Sequence, residues 1–227
     1  MRTAKAFVKN VLLRLGFEIR RVNPKSESVS VLIDRERNAT DYDRIWSEPG
    51  RLNAYLRDYR RQLYDHILDF ASEASLGKDV NSIADVGCGM GYFTGLLAEY
   101  FQPQRLVGFD FSEKALLLAR DICPRADFRQ HDIYTPLDEK FDLLFCIEVL
   151  EHLAHPDKAL DNLIAAAPRI VLTVPNGRVD TFGGHINYWS FASWKVFLKR
   201  CQNIAEFQSQ FIGDHQRYIA TWIRRKP

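Results

Sequence analysis

Between Ser82 and Val174 short apolar runs alternate with helical stretches at a regular period, and this alternation restricts the fold more than any other feature of the chain. The strand candidates are Ser82 to Val86, Arg105 to Phe109, Ala126 to Gln130, Phe141 to Ile147 and Arg169 to Val174. Tyr92 to Phe101, Lys114 to Ile122 and Asp157 to Ala166 read as the intervening helices, the last with Pro156 at its start, where a missing amide is harmless. Strand and helix in strict alternation predict a parallel sheet with helices on both faces. Downstream, Phe191 to Cys201 reads as a helix capped by Ser190, followed by strand-like runs at Glu206 to Ile212 and Tyr218 to Ile223. The short Gly213-Asp214-His215 turn between those runs suits an antiparallel pair. The expected fold is therefore α/β: a doubly wound, mostly parallel sheet with one antiparallel strand near the C-terminus and a helical cap at the N-terminus.

Composition divides the chain into residues 1–50, a basic amphipathic helix with a cap or lid segment, and residues 51–227, the main domain. Phe7, Val8, Val11, Leu12 and Leu15 form an apolar stripe opposite Lys5, Lys9 and Arg14. Such a helix either folds over the main domain or makes peripheral contact with a membrane surface or a partner. Tyr42 and Trp46 are placed either to close over a ligand or to pack in a core. Leu52 to Ala74 reads as a further helix with Leu56, Tyr59, Leu63, Ile67 and Phe70 on its stripe. Arg57, Arg60 and Arg61 fall outside that stripe, facing water or an acidic acceptor.

Lys and Arg total 31 against 29 Asp and Glu, a net charge of +2 that disfavours nucleic acid as a partner. No apolar run approaches the roughly 18 residues of a membrane span. Cys88, Cys123, Cys146 and Cys201 contain no CxxC pair, so reduced thiols and a cytoplasmic location are expected, with membrane association as the alternative.

The first strand runs into Asp85-Val86-Gly87-Cys88-Gly89-Met90-Gly91, in which alternate glycines allow the backbone to approach a ligand closely. A dinucleotide fingerprint requires a third glycine at the sixth position, where Tyr92 stands, so a nicotinamide enzyme is disfavoured. Asp110 ends the second strand about 20 residues past the loop, where a carboxylate accepts from ribose hydroxyls. Asp132 follows the third strand, suited to an exocyclic amine. Each aspartate alone is equally a cap or a turn residue; the three positions in register point to a nucleoside.

The combination of DVGCGMG at Asp85 to Gly91, Asp110 in VGFDFS, Asp132 in QHDI and CIEVLEHL at Cys146 to Leu153 resembles the class I methyltransferases that use S-adenosylmethionine. The resemblance covers roughly Asn81 to Pro175. It implies that Asp85, Gly87, Gly89 and Gly91, with the small Cys88 between them, shape the methionine pocket. Asp110 would hold the ribose, Asp132 and Ile133 would frame the adenine with Phe111 beside it, and Glu148 would lie near the sulfonium.

Methyl transfer to an alcohol needs a route for the hydroxyl proton, either a general base or a metal that acidifies the group. Glu148, Glu151 and His152 are spaced i, i+3, i+4 and, if helical, fall within a sector of roughly 100°; His185 is available as a fourth ligand. This ExxEH pattern with a later histidine resembles the metal site of 2′-O-methyltransferases acting on small-RNA ends, and an EVLEHL run is similar to that of ubiquinone-pathway O-methyltransferases. A divalent Mg²⁺, Mn²⁺ or Zn²⁺ suits such a set; the alternatives are His185, His152 or Glu148 as catalytic groups without a metal, or a structural role. LGFEIRR resembles the starts of glycan-cluster methyltransferases. The expected activity is thus O-methylation of a small molecule or sugar, from a surface glycan or a natural product. A metal-dependent RNA 2′-O-methyltransferase and a non-catalytic cofactor-binding protein are the alternatives.

Overall fold

The computed structural model describes residues 36–48, 50 and 58–227, and the basic N-terminal helix expected from the sequence lies outside them. Helix α1 (Ala39–Trp46) begins at a reciprocal cap: the Asn38 side chain accepts from the Asp41 amide, and the Asp41 carboxylate accepts from the Asn38 amide. Helix α2 (Asp58–Glu73) follows, with Leu63, Ile67 and Phe70 buried as their spacing predicts; the Leu56 end of that stripe is outside the described residues.

Strand β1 (Ser82–Val86), helix α3 (Tyr92–Phe101), β2 (Arg105–Asp110), α4 (Glu113–Ile122) and β3 (Asp127–Gln130) make one half of the domain. The other half is β4 (Leu143–Ile147), α5 (Pro156–Ala166), β5 (Arg169–Pro175), α6 (Phe191–Lys199), β6 (Ile204–Ile212) and β7 (Tyr218–Arg225). Among the described residues these strands form one seven-stranded sheet in the order β3-β2-β1-β4-β5-β7-β6. The pairs from β3 through β5 are parallel, and β7 is antiparallel to both β5 and β6. One reversed strand near the C-terminus is what the short turn before Tyr218 predicts. The crossovers from β1 leave toward β2 on one side and later return to β4 on the other, so a crevice opens at the carboxyl ends of β1 and β4.

Alternate residues of each strand supply two separate cores, as a sheet covered on both faces requires. Ile83, Leu143, Phe145 and Val171 pack against Leu63 and Ile67 of α2, Leu97 of α3 and Leu116 of α4. Ala84, Leu144, Cys146, Ile170 and Leu172 pack against Leu160 and Leu163 of α5 and Trp194 of α6. The buried Trp194 indole donates to Thr221 Oγ1 on β7 at 2.7 Å, so its one polar atom is satisfied inside the core.

Strand β4 starts later than the apolar run suggests. The Phe141 amide donates to Ala166 and the Asp142 amide to Ser82, while the Asp142 carboxylate accepts from the Asn81 and Ser82 amides. These two residues form a corner, and the buried Phe141 ring serves the α5 core rather than the ladder.

Candidate active site

Gly87 and Gly91 both have positive φ, 79° and 76°. A Cβ on Gly87 would fall 2.3 Å from Val149 Cγ2, so the loop after β1 touches the segment after β4, and a side chain there would separate them. A Cβ on Gly91 would fall 2.8 Å from that of Ala119, which glycine avoids where α3 begins against α4.

Two of the expected cofactor carboxylates, Asp85 and Asp110, are buried and already engaged. Asp110 accepts from the Gly89 amide at 2.8 Å through Oδ2 and from the Ser112 amide at 2.9 Å through Oδ1. It therefore fixes the glycine loop and retains lone pairs for ribose hydroxyls. Asp85 accepts from Thr94 Oγ1 at 2.6 Å. Burial pushes the Asp85 carboxyl up to about 7 and that of Asp110 up to about 6, with Thr94 in the first case and the Ser112 and Gly89 amides in the second pulling back.

A cavity of about 1190 Å³ opens over these groups. It exceeds the roughly 300–1,000 Å³ of common single-ligand pockets, which leaves room for a nucleoside and an acceptor together. Gly87, Cys88, Gly89, Asp110, Phe111, Asp132, Ile133, Glu148, Glu151, His152 and His185 all line it, so the structure brings the sequence-predicted residues to one place. Gly91 is the exception, at the start of α3. Asp132 Oδ1 accepts from the Tyr134 amide at 2.9 Å in a local turn, and the residue lines the cavity. Segment 36–46 crosses this space: the Tyr42 ring lies 5.0 Å from that of Phe111, and the Trp46 ring approaches Gly89. Ser112 Oγ donates to Asp43 Oδ1 at 2.6 Å, and the Tyr134 hydroxyl donates to Glu36 Oε1 at 2.7 Å.

The other end of the cavity departs from the helical spacing read in ExxEH. Glu148 has φ of 56°, a left-handed conformation at the end of β4, and only Leu150–His152 form a 3₁₀ turn. The left-handed residue swings the Glu148 carboxylate to Thr173, whose hydroxyl donates to Oε1 at 2.9 Å. Glu148 is thus not part of the ligand group. Among the described residues, Glu151, His152 and His185 gather with one ligand atom each within 4.8 Å of the others.

Both imidazoles are oriented from behind. His152 Nδ1 donates to the Gly184 carbonyl at 3.0 Å, and His185 Nδ1 lies 2.6 Å from Asp180 Oδ2. Each Nε2 then faces Glu151 Oε1, at 3.9 Å in both cases. The Glu151 carboxylate is fully buried, and neither oxygen has a hydrogen-bond partner. Burial pushes this carboxyl far up, with Glu148 adding to the effect; burial also holds the His152 imidazole down at about 3, so it is neutral. Two imidazoles anchored through Nδ1 and aimed through Nε2 at an unsatisfied carboxylate are the donor set a divalent cation takes.

Three contributors, Thr173, Asp180 and Asn187, escape a reading of the sequence. Thr173 and Asp180 have no distinctive spacing, and Asn187 acts by bonding the Leu153 carbonyl at 2.6 Å while its amide bonds that of Glu151 at 3.0 Å. Arg60 lies outside the apolar stripe of α2 and lines the cavity, where its charge favours ionised Glu148.

A family model described as a methyltransferase domain matches residues 55–213. The chain is 38% identical over 103 residues to trans-aconitate 2-methyltransferase of Variovorax paradoxus, covering 43% of this chain and 40% of that protein. It is 27% identical over 159 residues to ubiquinone biosynthesis O-methyltransferase of Idiomarina loihiensis, covering 67% and 61%. The chain therefore spans less than two thirds of the length of these curated relatives. In fold it is similar to the N-methyltransferase NodS of Bradyrhizobium japonicum in complex with S-adenosyl-L-homocysteine, with a TM-score of 0.66 and 18% identity over 84% of this chain and all of that one.

Proposed function

The chain belongs to the methyltransferase-domain family, and from that premise we propose that it uses S-adenosylmethionine to methylate an oxygen of a small polyhydroxylated or phenolic molecule, such as a glycan sugar or a natural product. The observation that carries this reading is the single cavity that joins a nucleoside cradle at β1 and β2 to the Glu151, His152 and His185 group beyond β4. S-adenosylmethionine would supply a sulfonium-bound methyl group, whose transfer to the acceptor oxygen breaks the S–C bond, releases S-adenosylhomocysteine and needs no protein nucleophile.

The chain positions and deprotonates. Asp110 and the glycine loop hold the nucleoside, and Asp132, Ile133 and Phe111 bound the base. Tyr42 and Trp46 cover it and exclude water. Glu151, His152 and His185 would hold a divalent cation, whose contribution is to lower the pKa of an acceptor hydroxyl. The fit rests on the orphaned Glu151 carboxylate and the two anchored imidazoles. Asp180 fixes the His185 tautomer so that Nε2 keeps its lone pair toward the cavity. The same 2.6 Å contact favours a second reading, in which His185 accepts the acceptor proton directly and Asp180 stabilises the imidazolium formed.

Transfer of labelled methyl from S-adenosylmethionine into fractionated extract, with and without a chelator, tests this assignment. Label in a glycan or small-molecule fraction that chelation abolishes supports the metal-assisted reading, and label indifferent to chelation supports His185 as the base. Label confined to RNA replaces the acceptor with a 2′-hydroxyl of RNA. Absence of label with S-adenosylhomocysteine bound reduces the chain to a cofactor-binding protein.

A further inference from the structure

We propose that the acceptor is an anion, its carboxylate or phosphate group taken by the guanidinium groups of Arg37 and Arg217 at the mouth of the cavity. This inference rests on the reading of the cavity as an acceptor site.

Three arginines line the cavity, and they differ in what they already hold. Arg60 is set against Glu148, whose ionised form it favours. Arg37 and Arg217 make no side-chain hydrogen bond or ion pair among the described residues, whereas Arg61, Arg105, Arg120, Arg129 and Arg224 on the outer surface all do. Two acids that line the same cavity are engaged with other groups: Glu36 accepts from Tyr134, and Asp180 is bonded to His185. The mouth therefore presents two positive planar groups with their charge uncompensated. A guanidinium binds carboxylate and phosphate through paired N–H donors, which makes it selective for those groups.

Both side chains are presented by built backbone. Arg37 lies between Glu36, tied to Tyr134 at 2.7 Å, and Asn38, locked in the cap of α1. A Cβ on Gly184 would fall 2.9 Å from Arg37 Nη2, so this guanidinium lies over the backbone that leads directly into His185. Arg217 follows two residues in left-handed conformation, His215 and Gln216, with φ of 55° and 56°. That unfavourable turn is held by the buried Asn176, whose amide donates to the Arg217 carbonyl at 2.8 Å and whose side chain donates to that of Gln216 at 3.0 Å. Backbone strain retained by a buried polar anchor is typical of a segment that presents a binding group. Val179 and Phe182 line the same cavity with about half of their surfaces exposed, which suits the apolar skeleton of the acceptor.

The test uses the full chain loaded with S-adenosylhomocysteine and three probes that keep the ring and vary the charge: benzoate, phenyl phosphate and benzamide. Dissociation constants come from ligand-observed nuclear magnetic resonance. Benzoate or phenyl phosphate is expected to bind at least about ten-fold tighter than benzamide, consistent with a charge-assisted hydrogen-bonded pair; whichever anion binds more tightly identifies the group. Arg37→Gln and Arg217→Gln should each reduce that preference several-fold, with S-adenosylhomocysteine affinity retained as evidence of intact folding, and Arg37→Lys should restore part of it. Equal binding of all three probes, or a preference that survives both Gln substitutions, overturns the proposal. Anion preference without methyl transfer to any acceptor leaves this site standing and refutes the transferase reading; methyl transfer confined to neutral acceptors does the reverse.

Discussion

The two ends of the cavity are satisfied to different degrees. At the β1 and β2 end the polar groups are already bonded to the protein: Asp110 to the amides of Gly89 and Ser112, Asp85 to Thr94. At the β4 and β5 end the Glu151 carboxylate is buried with neither oxygen bonded, facing two imidazoles held by their far nitrogens. A buried polar group without a partner costs about 1–3 kcal/mol, and a fold retains such a deficit where a ligand removes it. At the first end the buried carboxylates are held in place by the protein itself. The second is incomplete until an ion, a proton or an acceptor arrives.

The largest expected effect separates the ends outright. Glu151→Ala should lower methyl transfer by about 10²–10⁴-fold, the range for loss of an acid–base or activating group, and leave S-adenosylhomocysteine affinity within about two-fold in a calorimetric titration. A parallel loss of affinity would show that the two ends are one site. The reciprocal substitution, Asp110→Asn, should weaken S-adenosylhomocysteine by about 1.5–3 kcal/mol, the worth of hydrogen bonds to a charged group, while turnover at saturating cofactor stays near that of the wild type. A large fall in turnover would mean that the cradle also positions the methyl group.

The incomplete end can be tested by filling it. Mn²⁺ or Zn²⁺ at about one hundred times its dissociation constant should stabilise the wild-type chain by about 2.7 kcal/mol against thermal unfolding, and His152→Ala should abolish that increment. An equal shift in the variant would place the ion elsewhere.

The finished end also carries a pH dependence. The folded chain holds the Asp85 and Asp110 protons up to about pH 7 and 6, whereas the unfolded chain releases them near the ordinary value of about 4. The native state therefore binds more protons between those limits, and the contribution of these groups to stability falls as pH rises from about 4 to about 7. Asp85→Asn should flatten that decline in denaturation midpoints recorded across the interval. An unchanged slope would show that Asp85 is ionised in the folded chain.

The same contrast explains what the sequence made legible. Helix α3 runs over the predicted residues, Tyr92 to Phe101, because its start is a glycine turn and its apolar positions repeat locally. The glycine loop, Asp110 and Asp132 were equally legible, since each sits at a fixed offset from the end of a strand. Phe141 misled because an apolar residue in sequence with a strand can serve a helix core instead. Glu148 misled for a different reason: spacing predicts a common face only if the backbone is helical, and one left-handed residue breaks that assumption. Arg37, Asp180 and Asn187 gave no local signal. Arg37 and Asn187 are placed by contacts between segments distant in sequence, Arg37 reaching Gly184 and Asn187 reaching Leu153, while Asp180 meets His185 across an irregular loop that carries no periodic pattern.

Segment 36–46 touches both ends at once, with Trp46 against the glycine loop, Asp43 bonded to Ser112, and Arg37 over Gly184. Under the proposed reading, two ligands that share one cover are open to linkage through it. If the nucleoside settles this segment by pressing against Trp46 and Tyr42, the acceptor meets an arginine already in place and loses less entropy on arrival. Linkage makes that help mutual: the factor by which cofactor tightens acceptor is the factor by which acceptor tightens cofactor. In the proposed transfer the two products would inherit the same linkage, so that the departure of either would loosen the other.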